Sequence, residues 1–336
     1  MLLRDVGEFG FIERIATMVA GAGEDPRVAL GIGDDAALLD LGGPELVAVT
    51  TDAMLEGRHF RLDWLAPGEV GWRAAAGALS DLGAMGAAPA AVFCSVGLPP
   101  DWPVEDADAL LRGVAEAIAS VGGVLAGGDV IASEHVLIDL MALGQVRRGQ
   151  QLTRDAGRAG QVLAVTGALG GPAAAVALLS ARGRDALAEH GAIHRRFAHP
   201  EPRIAAGRAI AATGLAACAI DISDGLVQDA GHIAERSGVR AVIEAEKVPV
   251  AEGCAEIAEV LGEDVRCWAL SGGEDFELLI ALEQTDVEAA RNLPAVSEVG
   301  LAIVGRLEDG EGAIAVNASG EEIELSSGGW NHFGGG

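Results

Sequence analysis

The chain has 336 residues, half of them hydrophobic, with 50 acidic side chains against 23 basic ones and a formal net charge of −27. That length fits two domains whose cores need no disulfide staples, and so acidic a surface argues against a nucleic-acid partner. Lys247 is the only lysine, so neither a GxxxxGK[ST] phosphate loop nor the strand lysine of a protein kinase can be built.

The opening residues, MLLRDVGEFG, lack the apolar core of a signal peptide. Cys94, Cys218, Cys254 and Cys267 form no CxxC pair and read as the reduced thiols of a cytoplasmic protein. In the first half, helices are predicted at Phe11–Ala20, Glu69–Met85 and Val104–Val121, and strands at Val28–Ile32, Leu46–Thr51, Ala91–Leu98, Val124–Ala126 and Val136–Val146. The polar, glycine-bearing stretch Arg147–Gly160 is the expected boundary, dividing residues 1–149 from 150–336. Beyond it, strands are predicted at Gln161–Thr166, Ala217–Ile222, Ala241–Glu244, Glu277–Leu282 and Val299–Arg306. Helices are predicted at Pro202–Ala212, Leu226–Ser237, Ala251–Val260 and Thr285–Leu293, with Pro172 suited to a first helical turn. The alternation is that of a mixed α/β chain. Leu82–Pro100 and Gln161–Ala181 are uncharged for about 20 residues each, yet both are broken by proline or glycine, so buried strand and helix pieces are expected rather than membrane spans.

Several apolar runs end abruptly in aspartate beside glycine or a hydroxyl: Gly31-Ile32-Gly33-Asp34-Asp35, Val49-Thr50-Thr51-Asp52, Ala126-Gly127-Gly128-Asp129 and Ile220-Asp221-Ile222-Ser223-Asp224-Gly225. Ala78-Leu79-Ser80-Asp81 carries a related aspartate inside a helical pattern, where no capping role exists for it. Any one of these alone reads as a helix cap or turn residue; their recurrence is the signal. Strand ends in α/β folds converge on one edge, and carboxylates crowded there repel unless a cation sits among them. Mg²⁺ takes oxygen ligands, carboxylates and phosphates together, and several such ions would supply the counter-charge that a single lysine cannot. The histidines form no HxH or HExxH pair, and no nucleophile–base pair stands out. Ser271-Gly272-Gly273-Glu274-Asp275 reads either as a tight turn or as a second glycine-rich site; Trp330, in a glycine-rich tail, either docks that tail or stacks on a flat ligand.

Read in order, GEFGFIERI, GIGDDAALL, TTDAMLEGRHF, ALSDLGAMGAAP, GGDV, LTRDAG, DISDGL, SGGEDFELL and GGWNHF resemble the thiamine-monophosphate kinases, from Gly7 to Phe333. The resemblance implies the two-domain PurM-like fold of aminoimidazole-ribonucleotide synthetase, a homodimer built on the first domain, and transfer of the γ-phosphoryl of ATP to thiamine monophosphate. By motif match it places Asp35, Thr50, Thr51, Asp52, Asp81, Asp129, Asp221 and Asp224 at Mg²⁺ positions. It places Gly128, Asp129, Arg154 and Ser223 at ATP, and His59, Glu274 and Trp330 at the thiamine phosphate. Ala78, Val130 and Phe276 depart from the family's usual Asn, Thr and Tyr, each with the loss of a polar group. A cyclo-ligase or selenophosphate synthetase of the same fold, and a non-catalytic nucleotide or metal sensor, are the competing readings.

Overall fold

The computed structural model describes residues 2–20 and 25–324. Two six-stranded mixed sheets follow one another along the chain. The first is built from β1 (Val28–Leu30), β2 (Ala37–Leu39), β3 (Glu45–Leu55), β4 (Ala88–Leu98), β5 (Val124–Ala132) and β6 (Leu137–Arg147), in the order β1-β2-β3-β6-β4-β5. The second comprises β7 (Val162–Thr166), β8 (Ala216–Asp221), β9 (Arg240–Glu244), β10 (Leu278–Leu282), β11 (Leu301–Glu308) and β12 (Ala313–Val316), in the order β12-β9-β11-β7-β10-β8. Each sheet is antiparallel except for one parallel pair at an edge, β4 with β5 and β9 with β12.

The helices that matter for the site are α1 (Leu3–Ala20), α2 (Pro67–Ala84), α3 (Val104–Ser120), α4 (Gly171–Arg182), α5 (Arg184–Leu187), α6 (Gly191–Ala198), α7 (Ile204–Thr213) and α8 (Leu226–Ser237). The helix α2 begins with Pro67 in its first turn, and the Glu69 side chain accepts the Ala66 amide at 2.7 Å, capping the helix from one side. Its run of alanine and glycine is almost wholly buried, because its neighbours approach at backbone distance. A Cβ on Gly113 of α3 would overlap the Gly68 carbonyl, and one on Gly207 of α7 would overlap the Gly83 carbonyl. α2 therefore packs on helices from both halves of the chain and carries Asp81 into their junction.

On β3 the burial alternates, with Leu46, Ala48, Thr50 and Met54 facing inward and Asp52 half-buried on the same face. Two expectations need correction here. The strand does not stop at Thr51 but runs to Leu55 along β6, so Asp52 is an inward-facing mid-strand residue and Thr51 faces outward. Likewise β5 continues through Gly127 and Gly128, held by parallel pairing to β4, and Asp129 lies within the strand rather than at its end. A Cβ on Gly128 would overlap the Cys94 carbonyl, so the glycine serves close strand approach.

The uncharged windows resolve as expected: Leu82–Pro100 is the end of α2, a turn and β4, and Gln161–Ala181 is β7, a loop and most of α4. Among the described residues no helix is long and apolar enough to cross a membrane. Cys94, Cys218 and Cys254 are buried free thiols, and Cys267 is half-buried.

The α2–α3 contact yields a direct test. Gly113→Ala is expected to destabilise the protein by about 1–3 kcal/mol through overpacking. Gly191→Ala, where the added methyl meets nothing within 4 Å, should be near neutral; equal denaturation midpoints for the two variants would contradict the packing.

Candidate functional site

Asp35 follows the Gly31–Gly33 turn between β1 and β2, Asp81 projects from the buried face of α2, and Asp221 ends β8. One oxygen from each lies within 4.8 Å of the others. Asp35 is 6% exposed and Asp221 2% exposed. The Oδ2 atoms of Asp35 and Asp221 are buried without a hydrogen-bond partner. Thr50 donates its hydroxyl to Asp81 at 2.5 Å, and Asp34 accepts the Arg154 amide at 3.1 Å.

A single guanidinium serves this group. Arg154 donates to Asp35 at 2.5 Å, and its Nε lies 4.0 Å from Asp34. Burial works against the arginine's charge, yet Asp35 and then Asp34 and Asp221 outweigh it and hold its pKa above the ordinary value. The carboxyls respond oppositely. Burial, then the charge of Asp35, raises Asp221 to about 8 and Asp34 to about 6. Burial, then the charges of Asp221 and Asp35, pushes Asp81 well above the carboxylate range. Acidic groups held this close, with orphaned oxygens turned inward, form a donor set suited to a hard divalent cation.

Asp52 lies on the same inward face of β3 as Thr50, its carboxylate against α2 at Gly77, where a Cβ would overlap it. Its charge adds to the elevation at Asp81. Beyond β8, the loop carrying Ser223 and Asp224 is fastened by Asp229, a 1% exposed residue in the first turn of α8. Asp229 accepts the amides of Ser223, Asp224 and Gly225 at 3.1, 3.2 and 3.1 Å. Asp224 accepts from Gln228 at 2.9 Å. His232, one turn on, groups with Asp224 and Asp229 and packs against Phe9 of α1, with ring centroids 4.6 Å apart and planes tilted by 46°. Burial, then Arg154, lowers its pKa to about 4, so the ring is neutral at physiological pH.

The turn Gly272–Phe276 lies against this loop. Glu274 donates its amide to the Ser223 carbonyl at 2.7 Å, and Phe276 to that of Ile222 at 2.9 Å. Both adopt left-handed backbone, at φ 63° and 51°, a conformation that costs about 1–3 kcal/mol in a non-glycine residue and persists where surroundings over-determine it. Beneath them Glu277 is fully buried, accepting from Arg203 at 2.7 and 2.6 Å and from Thr166 at 2.7 Å.

The structure thus gathers Asp35, Thr50, Asp81, Asp221 and Arg154, with Asp52 alongside, and fastens the Ser223 carbonyl to the Glu274 amide. His59 accepts the Leu55 amide on Nδ1 at 2.9 Å, which leaves the proton of the neutral ring on Nε2. Gly128 and Asp129 stand apart on the exposed edge strand β5, with Asp129 accepting the Val130 amide at 2.9 Å. Trp330 lies outside the described residues. Asp34 and Asp229 take part in the site although the motifs assign neither a role. The first was visible as the other half of an Asp-Asp pair, and the second as an acid in the first turn of a predicted helix.

A pH dependence follows. The native pKa of Asp221, about 8, exceeds its ordinary 3.8, so the native state holds extra protons. Without a cation, the stability tied to that proton is present at low pH and is lost as pH rises through about 8. A divalent cation prefers the ionised form, so the cation-induced rise in Tm should be larger at pH 8 than at pH 6. Equal rises at the two values would contradict a buried carboxylate site.

Comparison with known proteins adds an independent line. The family model described as AIR synthase related protein, N-terminal domain, matches residues 33–146, and its C-terminal counterpart matches residues 158–317. The thiamine-monophosphate kinase of Mycobacterium tuberculosis is 37% identical over 333 residues, covering 99% of this chain and 93% of its own length. That of Methanopyrus kandleri is 39% identical over 289 residues, 86% of each chain. A solved structure described as AaThiL complexed with AMPPCP and TMP superposes with a TM-score of 0.86 at 31% identity, covering 99% of both chains.

Proposed function

Because the chain belongs to the thiamine-monophosphate kinase family, with its two AIR-synthase-related domains, we propose that it transfers the γ-phosphoryl group of ATP to thiamine monophosphate, yielding thiamine diphosphate and ADP. The observation that carries this reading is the end-to-end match to a kinase structure solved with AMPPCP and TMP. The acceptor is a phosphate monoester, largely ionised near neutral pH because its second pKa is about 6. It needs no strong general base. The enzyme's task is to bring two anions together and hold them in line.

Asp35, Asp81 and Asp221 with Thr50 form the best-supported holder of Mg²⁺, and Asp52 and Asp224 are assigned to further ions; Thr51, on the opposite face of β3, and Asp129, on the edge strand β5, are Mg²⁺ assignments by motif alone. Bound Mg²⁺ would supply the positive charge that neutralises the reacting phosphates. Arg154 holds Asp34 and Asp35 in place from the second half of the chain and contributes a charge that does not titrate. With Gly128, Asp129 and Ser223 it is assigned to ATP. Asp229 fixes the amides around Ser223 and Asp224, so that loop meets a polyphosphate already organised. Among the residues assigned to thiamine monophosphate, His59 can donate through Nε2–H, and Glu274, through its carboxylate, and Trp330, through its ring, suit the cationic, flat rings.

The division at residues 149 and 150 falls between the last strand of the first sheet and the first strand of the second. The edge strand β5 favours a homodimer: Val130 is 69% exposed, Val124 59% and Ile131 53%, on a strand with one unpaired side. The acidic surface and free thiols suit the cytoplasm.

An ADP-release assay with thiamine monophosphate, free thiamine or no acceptor tests the activity. ADP is expected only with the monophosphate; release with none of them would overturn the acceptor assignment, and equal release without acceptor would indicate an ATPase. Asp52→Asn and Asp224→Asn should each lower kcat by about 10²-fold or more at unchanged Tm. Near-normal rates at limiting Mg²⁺ would remove those residues from the metal set. Val130→Asp should convert a species of twice 34.0 kDa into a monomer by light scattering. An unchanged mass would place any dimer contact elsewhere.

A further inference from the structure

Arg73 is a charged side chain on a wholly buried stretch of α2, only 1% exposed. Its guanidinium lies 4.3 Å over the ring of Phe197 in α6 and donates to the Phe197 carbonyl. Its ion-pair partner is Glu274, at 2.5 Å, whose side chain remains 35% exposed. A buried cation needs a partner that neutralises it, and here that partner is a residue assigned to the acceptor. Glu274 is held from two directions, by its amide on the Ser223 carbonyl and by its carboxylate on Arg73. Its left-handed backbone at φ 63° leaves little freedom between them.

We propose that Arg73 is a positioning residue that sets specificity for the cationic ring end of the acceptor, by holding the Glu274 carboxylate in place and aimed across the junction of the two halves. The inference rests on the reading of Glu274 as an acceptor contact. The planar guanidinium suits this task because one edge meets the carboxylate and another the carbonyl, while its face covers Phe197. A lysine at the same place keeps the charge and loses the fork. The partners of Arg73 are Phe197 and Glu274, neither of them assigned to ATP or Mg²⁺, so its loss should weaken acceptor binding selectively.

The test is steady-state kinetics of the full chain for Arg73→Gln, Arg73→Lys, Glu274→Gln and the double variant Arg73→Gln/Glu274→Gln. Arg73→Gln is expected to raise KM for thiamine monophosphate about 10-fold, while KM for ATP and kcat stay within about 3-fold. Arg73→Lys should recover part of that loss. The double variant should be no worse than Glu274→Gln alone, as for residues acting through one another. A uniform loss in kcat and both KM values, or additive effects in the double variant, would overturn the proposal and leave Arg73 as a tie between the halves. If Glu274→Gln leaves the acceptor KM unchanged, the reading of Glu274 fails. If Glu274→Gln raises it and the Arg73 variants do not, only the present inference fails. Should Arg73→Gln not fold, Phe197→Leu decides: it should raise the acceptor KM about 3-fold with KM for ATP unaffected, and an unchanged acceptor KM overturns the proposal.

Discussion

Four carboxyl groups from three separate segments, Asp34 and Asp35, Asp81 and Asp221, are driven into one buried space with one guanidinium among them. Left alone, that arrangement opposes folding, because each added negative charge in a low-dielectric space raises the energy of the rest. The pKa values of Asp221 and Asp34, lifted to about 8 and about 6, express that opposition. What makes the arrangement useful is the ligand. Divalent cations and the phosphates they accompany complete an electrostatic balance that the protein alone leaves open, so binding energy is stored in the scaffold before substrate arrives.

Holding such a cluster requires a frame that does not relax. The frame is supplied by small residues. α2 reaches the junction because Gly68, Gly83, Gly113 and Gly207 let helices from both halves touch it at backbone distance. Asp229 ties three successive amides of the loop at Ser223–Gly225, and the Gly272–Phe276 turn is pinned onto that loop by two backbone hydrogen bonds. Arg154 and Arg73 cross between the halves, each ending on a carboxylate of the other half. Both crossings use guanidinium groups, in keeping with a chain that has one lysine. Lys247, just after β9, pairs with Glu244 at 2.8 Å.

Much of this was legible in the sequence because the chemistry recurs in short local patterns. The apolar run that ends at Asp221 and the turn before Asp35 were identifiable by the recurrence of the same pattern along the chain, and the aspartate within the alanine-rich α2 by its misfit with a capping role. The two parallel edge strands were harder to place. Glycines normally weaken a strand, so Gly127-Gly128 predicted an end to β5, whereas the pairing with β4 carries it to Ala132. Thr50, Thr51 and Asp52 read as one motif, but the two-residue period of β3 sends Thr51 to the opposite face. Elements such as β2, β12, α5 and α6 are too short for periodicity to show, and they form because long-range packing holds them. Arg73 carried a signal that went unused: a lone charge on an otherwise apolar helix face demands a buried partner, though the partner, Glu274, lies 201 positions away.

The most direct measurement is a crystal structure with Mn²⁺ in place of Mg²⁺ and a non-hydrolysable ATP analogue, read by anomalous scattering. The account requires an ion about 2 Å from a carboxylate oxygen of each of Asp35, Asp81 and Asp221, with a nucleotide phosphate completing its shell. An ion-free cluster, with nucleotide phosphates and Mn²⁺ bound elsewhere on the protein, would contradict it.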